Sequence, residues 1–130
     1  MISMSKFVDS DVIIFASTSN PKQDLCFKFI KTENITINSL VLVECLSKIA
    51  TITKNKDFAV RTIKAIYNSG NIEIVDLNKN LFFEAMKRFG RYDLKISDLI
   101  HYTTALLSGC SSIVSYDTDF DNLEIKREVP

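Results

Sequence analysis

Six carboxylates stand in unusual places along this chain. Asp9 and Asp11 lie inside FVDSDVIIFA, Glu44 inside VLVECLSKI, Asp98 directly after Ser97, and Asp117 and Asp119 in SYDTDFDN. Ionised carboxylates are seldom buried without a partner, so acidic groups set in apolar runs mark a local cost that something must offset. Brought together in one cleft they would repel one another unless a cation neutralised them. Oxygen donors without clustered Cys or His suit a hard ion such as Mg²⁺ or Mn²⁺ rather than zinc. Each group also has a plainer reading. Asp9 and Asp117 can be turn residues or helix caps, Glu44 can belong to a buried salt bridge, and Asp98 can complement a helix dipole. His101, three residues past Asp98, falls on the same helical face, but a lone His does not make a zinc site and is expected to pack or hydrogen-bond.

The elements that must position these groups can be read from periodicity and punctuation. KFVD at 6–9 reads as a strand that leaves Asp9 at its carboxyl end, with Ser10 capping a helix from Asp11. Asn20 and Pro21 read as the N-cap and first position of a helix to about Lys31, with Leu25 and Phe29 on its apolar face. ITIN at 35–38 is a strand. Asn38 or Ser39 opens the helix carrying Glu44, whose apolar surroundings on every side predict burial. A helix over about 56–68, a strand at 71–76 and a helix over roughly 78–90, with Leu81, Phe82, Ala85 and Phe89 inward, follow. Ser97 caps a helix to Leu107, Gly109 lies just beyond it, SSIVSY is a strand, and LEIKREV ends the chain as a short one. Strands separated by helices require crossover connections, which predicts an α/β fold: a three-layer α/β/α sandwich on a mostly parallel sheet of four to five strands.

Composition narrows the class. The 130 residues suit one domain over 1–130, and 46% hydrophobic residues with three Gly and two Pro describe a compact fold. Sixteen basic and sixteen acidic residues cancel, so any nucleic-acid binding must be local. Cys26, Cys45 and Cys110 are odd in number and sit among apolar residues, which suits small buried side chains better than disulfides. No apolar run approaches the roughly 18 residues needed to span a bilayer and no cationic lead enters an apolar core, so a reducing, cytoplasmic setting is expected.

FVDSDVIIFA, VLVECLSKIA, ISDLIHYTTALLSG and IVSYDTDFDNLEI, in this order and at these separations, resemble the PIN-domain family, specifically VapC-type toxins, over nearly the whole chain. The resemblance implies a metal-dependent endoribonuclease that hydrolyses RNA phosphodiester bonds, with Mg²⁺ or Mn²⁺ as cofactor. It carries the family's acidic quartet onto Asp9, Glu44, Asp98 and Asp117, with Asp119 an accessory and Ser115, where the family more often has Thr, expected to meet the substrate. Asp9, Asp98 and Asp117 are then the direct metal ligands, and Glu44 acts through water. Asp11 replaces a common Asn, and it is expected to hold the first helix or its neighbour. The resemblance also implies an RNA substrate, a cognate antitoxin and a homodimer. KRFGRYDLK offers Arg88, Arg91 and Lys95 to the phosphates and Tyr92 for stacking on a base, although such a cluster also suits a solvated connection. Two alternatives remain: a PIN-domain RNA-binding or RNA-processing module that is not a toxin, and, from DSDVI, a haloacid-dehalogenase phosphatase. The second would want Thr or Val at Ile13 and a longer chain.

Overall fold

The structure, a computed structural model, describes residues 4–130; Met1–Ser3, the start of the domain expected over 1–130, lie outside the described residues. Five strands, β1 (Lys6–Val8), β2 (Ile35–Asn38), β3 (Ile72–Val75), β4 (Ser112–Val114) and β5 (Lys126–Glu128), form one sheet in the order β3-β2-β1-β4-β5. Every neighbouring pair is parallel. Six helices make the connections: α1 (Ser10–Ser17), α2 (Gln23–Thr32), α3 (Ser39–Thr53), α4 (Lys56–Tyr67), α5 (Lys79–Lys87) and α6 (Ile96–Leu107). A single 3-10 turn, Thr118–Phe120, follows β4.

The strand order fixes the layers. From β1 to β3 the chain steps outward in one direction, and from β3 it returns across the sheet to β4. Right-handed crossovers therefore put α1 to α4 on one face and α5 and α6 on the other. α6 packs on β1, β2 and β4, and every residue from Asp98 to Ala105 is buried. Phe7, Ile37, Ile113 and Val114 of the sheet are fully buried, with Val12, Cys45 and Ile49 from the first helical layer and Leu99, Tyr102 and Ala105 from the second. The direction of travel reverses beside β1. Open parallel sheets form their clefts at such a switch point, beyond the carboxyl ends of the strands. Here that edge lies after Val8 and Val114, which pair in register.

Local chemistry sets the ends of the elements. Asn38, Asn55 and Asn78 are N-caps, their side chains accepting from the backbone N–H groups of Val41, Phe58 and Leu81. α6 ends in a Schellman turn. Gly109 N–H donates to Leu106 O, Cys110 N–H donates to Ala105 O, and Gly109 takes φ +67°, a conformation in which a Cβ is strained. This turn hands the chain to β4, and all three cysteines are buried and free.

Several local expectations are revised. Asp9, not Ser10, caps α1, because its Oδ1 reaches the Ser10 N–H at 2.8 Å. α2 starts at Gln23. Asn20 instead closes the α1–α2 turn, accepting from Lys22 N–H and donating to the carbonyls of Phe15 and Thr18. Leu25, Phe82 and Phe89 are exposed, and Cys26, Leu81 and Ala85 take the buried positions. Val43 and Leu46 are exposed as well, so α3 is not enclosed on every side. Among the described residues no helix is long and apolar enough to cross a membrane.

Gly109→Ala should cost about 1 kcal/mol and lower Tm by roughly 4 °C, because a Cβ there meets no atom within 4 Å and only the positive φ penalises it. Gly109→Asn should cost less, since Asn tolerates the left-handed region. Thermal unfolding of the three proteins checks this order.

Candidate metal centre at the carboxyl edge of the sheet

Parallel pairing of β1 with β4 brings Asp9 next to Ser115, and Asp9 N–H donates to Val114 O at 2.9 Å. Both oxygens of the buried Asp9 carboxylate are engaged. Oδ1 accepts from Ser10 N–H, and Oδ2 accepts from Ser115 Oγ at 2.7 Å. Ser115 Oγ in turn accepts from Asp117 N–H at 3.0 Å, and Asp117 Oδ1 accepts from Asp119 N–H at 2.9 Å. The end of one strand is thus wired to the loop beyond the other. Arg127 of β5 supports that loop, donating to Ser115 O at 3.0 Å and pairing with Asp121.

α6 delivers Asp98 from the face opposite α1. It is 6% exposed, and its Oδ2 is buried with no hydrogen-bond partner among the described residues. Burial drives its pKa up from 3.8 to about 6, opposed by Lys95 and reinforced by Asp9 and Asp117. Asp11 faces the same field. Its Oδ2 accepts from Tyr116 N–H at 3.0 Å, tying α1 to the loop after β4, and its Oδ1 is buried without a partner. Burial, followed by the charge of Asp9, raises its pKa to about 7, against hydrogen bonds from the backbone of Tyr116 and Val12.

Glu44 reaches the cleft from α3, with its side chain 31% exposed. Its Oε1 lies 2.8 Å from His101 Nε2. Burial pushes its pKa up, but hydrogen bonds from His101 and Ser10, with the field of Lys95, hold it below the usual range. The apolar run VLVECL suggested an enclosed Glu44 that only a shared cation explains. In the structure it is half-buried and has a hydrogen-bond partner of its own.

The acidic groups converge as two adjoining sets. Asp9, Glu44 and His101 each present an atom within 4.8 Å of the others, and so do Asp98, Asp117 and Asp119. Asp98 feels the charges of both Asp9 and Asp117, so the two sets share one field. The donors fit a hard divalent cation: carboxylate oxygens dominate, and the orphaned Asp98 Oδ2 carries a desolvation cost that an ion would offset.

The residues expected to meet a substrate are placed differently from one another. Ser115 is fully buried, with its hydroxyl committed to Asp9 and Asp117, so it supports the carboxylates and presents no surface to a substrate. Arg88 turns back on Glu84, accepting no role at the rim. Tyr92 donates to Glu124 and packs on Tyr102, which removes it from stacking. Arg91 is exposed, and Lys95 stands beside the cleft with Nζ 4.0 Å from Asp98 Oδ2. Two participants had weak sequence signals: His101, visible only by its helical spacing from Asp98, and Asn38, visible only as a cap.

The fold has solved relatives. Over 96% of this chain and 99% of its own, the sarcin–ricin loop cleaving toxin VapC20 of Mycobacterium tuberculosis superposes with TM-score 0.81 at 16% identity. A toxin–antitoxin complex from Klebsiella pneumoniae gives TM-score 0.74 at 17% identity, covering 96% of this chain and 97% of that one. VapBC2 from Rickettsia felis, bound to a DNA fragment from its promoter, gives 0.70 at 16% identity, covering 97% and 98%. Comparison with curated protein sequences finds no match. The sequence itself matches the family model described as PIN domain over residues 6–126, a span that takes in every acidic group of the cleft and all but the last residues of the sheet, and the chain belongs to the PIN domain family.

Proposed function

We propose that the protein is a metal-dependent endoribonuclease, the VapC-type toxin of a toxin–antitoxin pair, acting on RNA in the cytoplasm. The observation that carries this reading is the buried Asp98 Oδ2, without a hydrogen bond and with Lys95 Nζ no nearer than 4.0 Å, in the field of Asp9 and Asp117 at the switch point of the sheet. Family membership and the likeness to toxin structures support it. The sequence keeps all four acids that the resemblance assigns to the quartet, and no observation favours a PIN module that only binds or processes RNA.

Asp9, Asp98 and Asp117 would hold a Mg²⁺ or Mn²⁺ ion, with Asp119 an accessory and Glu44 acting through water. A divalent ion there supplies Lewis acidity that acidifies water and offsets charge on the leaving oxygen of a phosphodiester. The protein's own groups do the rest. Ser10 N–H and Ser115 Oγ–H fix the Asp9 carboxylate in advance, so little reorganisation remains when RNA enters. Glu44, held by hydrogen bonds from His101 and Ser10, would orient the attacking water. Lys95 and Arg91 supply positive charge where a phosphate backbone would approach, which suits a protein whose net charge is zero.

A cognate antitoxin and a second copy of the chain complete the proposal. The Rickettsia felis VapBC2 and the Klebsiella pneumoniae toxin–antitoxin complex share this fold, and this molecule exposes two apolar faces on which partners can bury surface. Val43, Leu46 and Val60 lie on α3 and α4; Phe82, Phe83 and Met86 lie on α5.

The ion and the acidity of the site are linked, with a sign that can be worked out. Asp98 binds its proton more tightly folded, near 6, than unfolded, near 3.8, so its contribution to stability falls as pH rises through that window. In chelator, Asp98→Asn should therefore raise Tm most at pH 8 and by progressively less as pH falls from 6 towards 4. At pH 8, Mg²⁺ or Mn²⁺ should raise Tm in the wild type and much less in the variant. Equal cation gains in the two proteins would place the ion elsewhere.

Asp9→Asn tests the reaction. Asn can keep the helix cap, so the fold should survive with a small loss from rearranging Ser115, while RNA cleavage in Mg²⁺ or Mn²⁺ should fall by at least about 100-fold. Cleavage of a mixed RNA pool by antitoxin-free protein, measured beside unfolding in chelator, separates the two effects. Undiminished cleavage by a folded variant would overturn the assignment.

A further inference from the structure

His101 is 1% exposed, and its Nε2 is close enough to Glu44 and Asp9 to be counted with them as a possible cation ligand. The hydrogen bonds behind it decide otherwise. Asn38 Oδ1 accepts from Val41 N–H at 2.9 Å, as the cap of α3, which fixes the side-chain amide because a flip would set two donors against each other. Its Nδ2 therefore points at Thr104 Oγ1, 2.9 Å away, and at His101 Nδ1, 3.2 Å away. Thr104 has committed its own hydroxyl hydrogen to Ile100 O at 2.8 Å, so it accepts from Asn38. The second amide hydrogen falls to His101, whose Nδ1 must accept it. In a neutral imidazole the proton then sits on Nε2, and Nε2–H donates to Glu44 Oε1 at 2.8 Å. Phe7 closes the other side of the ring, with centroids 5.6 Å apart.

We propose that His101 is a positioning residue and not a cation ligand: Asn38 holds it as the Nε2–H tautomer, and it fixes the Glu44 carboxylate at the cleft through Oε1. The polarity of the whole chain, Val41 N–H to Asn38 to His101 to Glu44, is set by one helix cap. A ring whose Nε2 carries a proton has no lone pair there for a metal. Outer-sphere groups of this kind orient ligands and tune their basicity, and their removal commonly costs 10- to 100-fold in metal affinity or activity, as an order of magnitude (~10–100).

This inference rests on the cation site proposed above, and its first test does not depend on nuclease activity. His101 is the single histidine of the chain, so the ring nitrogens in a ¹⁵N spectrum need no assignment. At pH 8 in chelator the spectrum should show Nε2 protonated and Nδ1 bare, and adding Mg²⁺ should leave the Nε2 proton in place. An Nδ1–H tautomer, or loss of the Nε2 proton with Mg²⁺, would overturn the proposal. The second test is the Mg²⁺ concentration at half-maximal thermal stabilisation. His101→Gln, which keeps a donor for Glu44, should stay near wild type; His101→Leu should need about 10-fold more Mg²⁺ or beyond. Equal midpoints for Gln and Leu would leave the donor without a role and overturn it. Should His101→Leu not fold, His101→Asn, too short to span to Glu44, is read in its place with the same expectation. A wild type that neither cleaves RNA nor responds to Mg²⁺ overturns the cation site, while the tautomer result still stands on its own.

Discussion

The parallel pairing of β1 with β4 is the constraint on which the cleft depends. Val8 and Val114 lie opposite each other, so the residues that follow, Asp9 and Ser115, leave the sheet side by side. The bond between them couples a helix cap on one strand to a loop on the other. Slipping this register by one residue would exchange the faces on which Phe7 and Val8 pack and carry Asp9 away from Ser115. Burial of Phe7, Ile113 and Val114 resists that slip, so apolar packing of the sheet sets the geometry of its most polar edge.

That edge is electrostatically expensive. Asp11 and Asp98 are both driven towards their protonated forms by burial and by their acidic neighbours, and each retains a buried oxygen without a partner. The fold tolerates this because it spends its hydrogen bonds selectively. Asp9 is anchored by neutral donors, the Ser10 N–H and the Ser115 hydroxyl, which orient a carboxylate without cancelling its charge. Had Arg or Lys supplied those bonds, the negative field would be quenched and the attraction for a cation with it. Lys95 stays at the rim and Arg88 is paired with Glu84 away from it, so positive charge borders the cleft without filling it.

The positions of Asp9 and Asp117 were legible because strand ends are marked by short-range signals, and a parallel sheet brings such ends together. Asp98 does lie in a first helical turn, but α6 begins at Ile96 after Lys95 with no side-chain cap, and Ser97 is inside the helix and does not cap it. Glu44 was legible for an incomplete reason. Its apolar neighbours suggested full burial, yet Val43 and Leu46 face outward, and its setting is made by His101 from another helix. Contacts of that kind span 57 residues and leave no local trace. Asn38 shows the same limit, since its cap to Val41 is local and readable while its bonds to Thr104 and His101 are not. The inward assignment of Phe82 and Phe89 failed for a different reason: periodicity gives the spacing of an apolar stripe, but the stripe on α5 is wider than the surface it covers, and part of it faces solvent.

Arg127 makes the edge of the sheet matter to the cleft. β5 supplies none of the acids, yet it is an edge strand whose Arg127 donates to Ser115 O and pairs with Asp121, on the loop that carries Asp117. Edge elements open locally at a lower cost than the strands between them. Fraying of β5 would therefore loosen the support of Asp117 while Asp9, Glu44 and Asp98 stay on the central strand and helices that hold them.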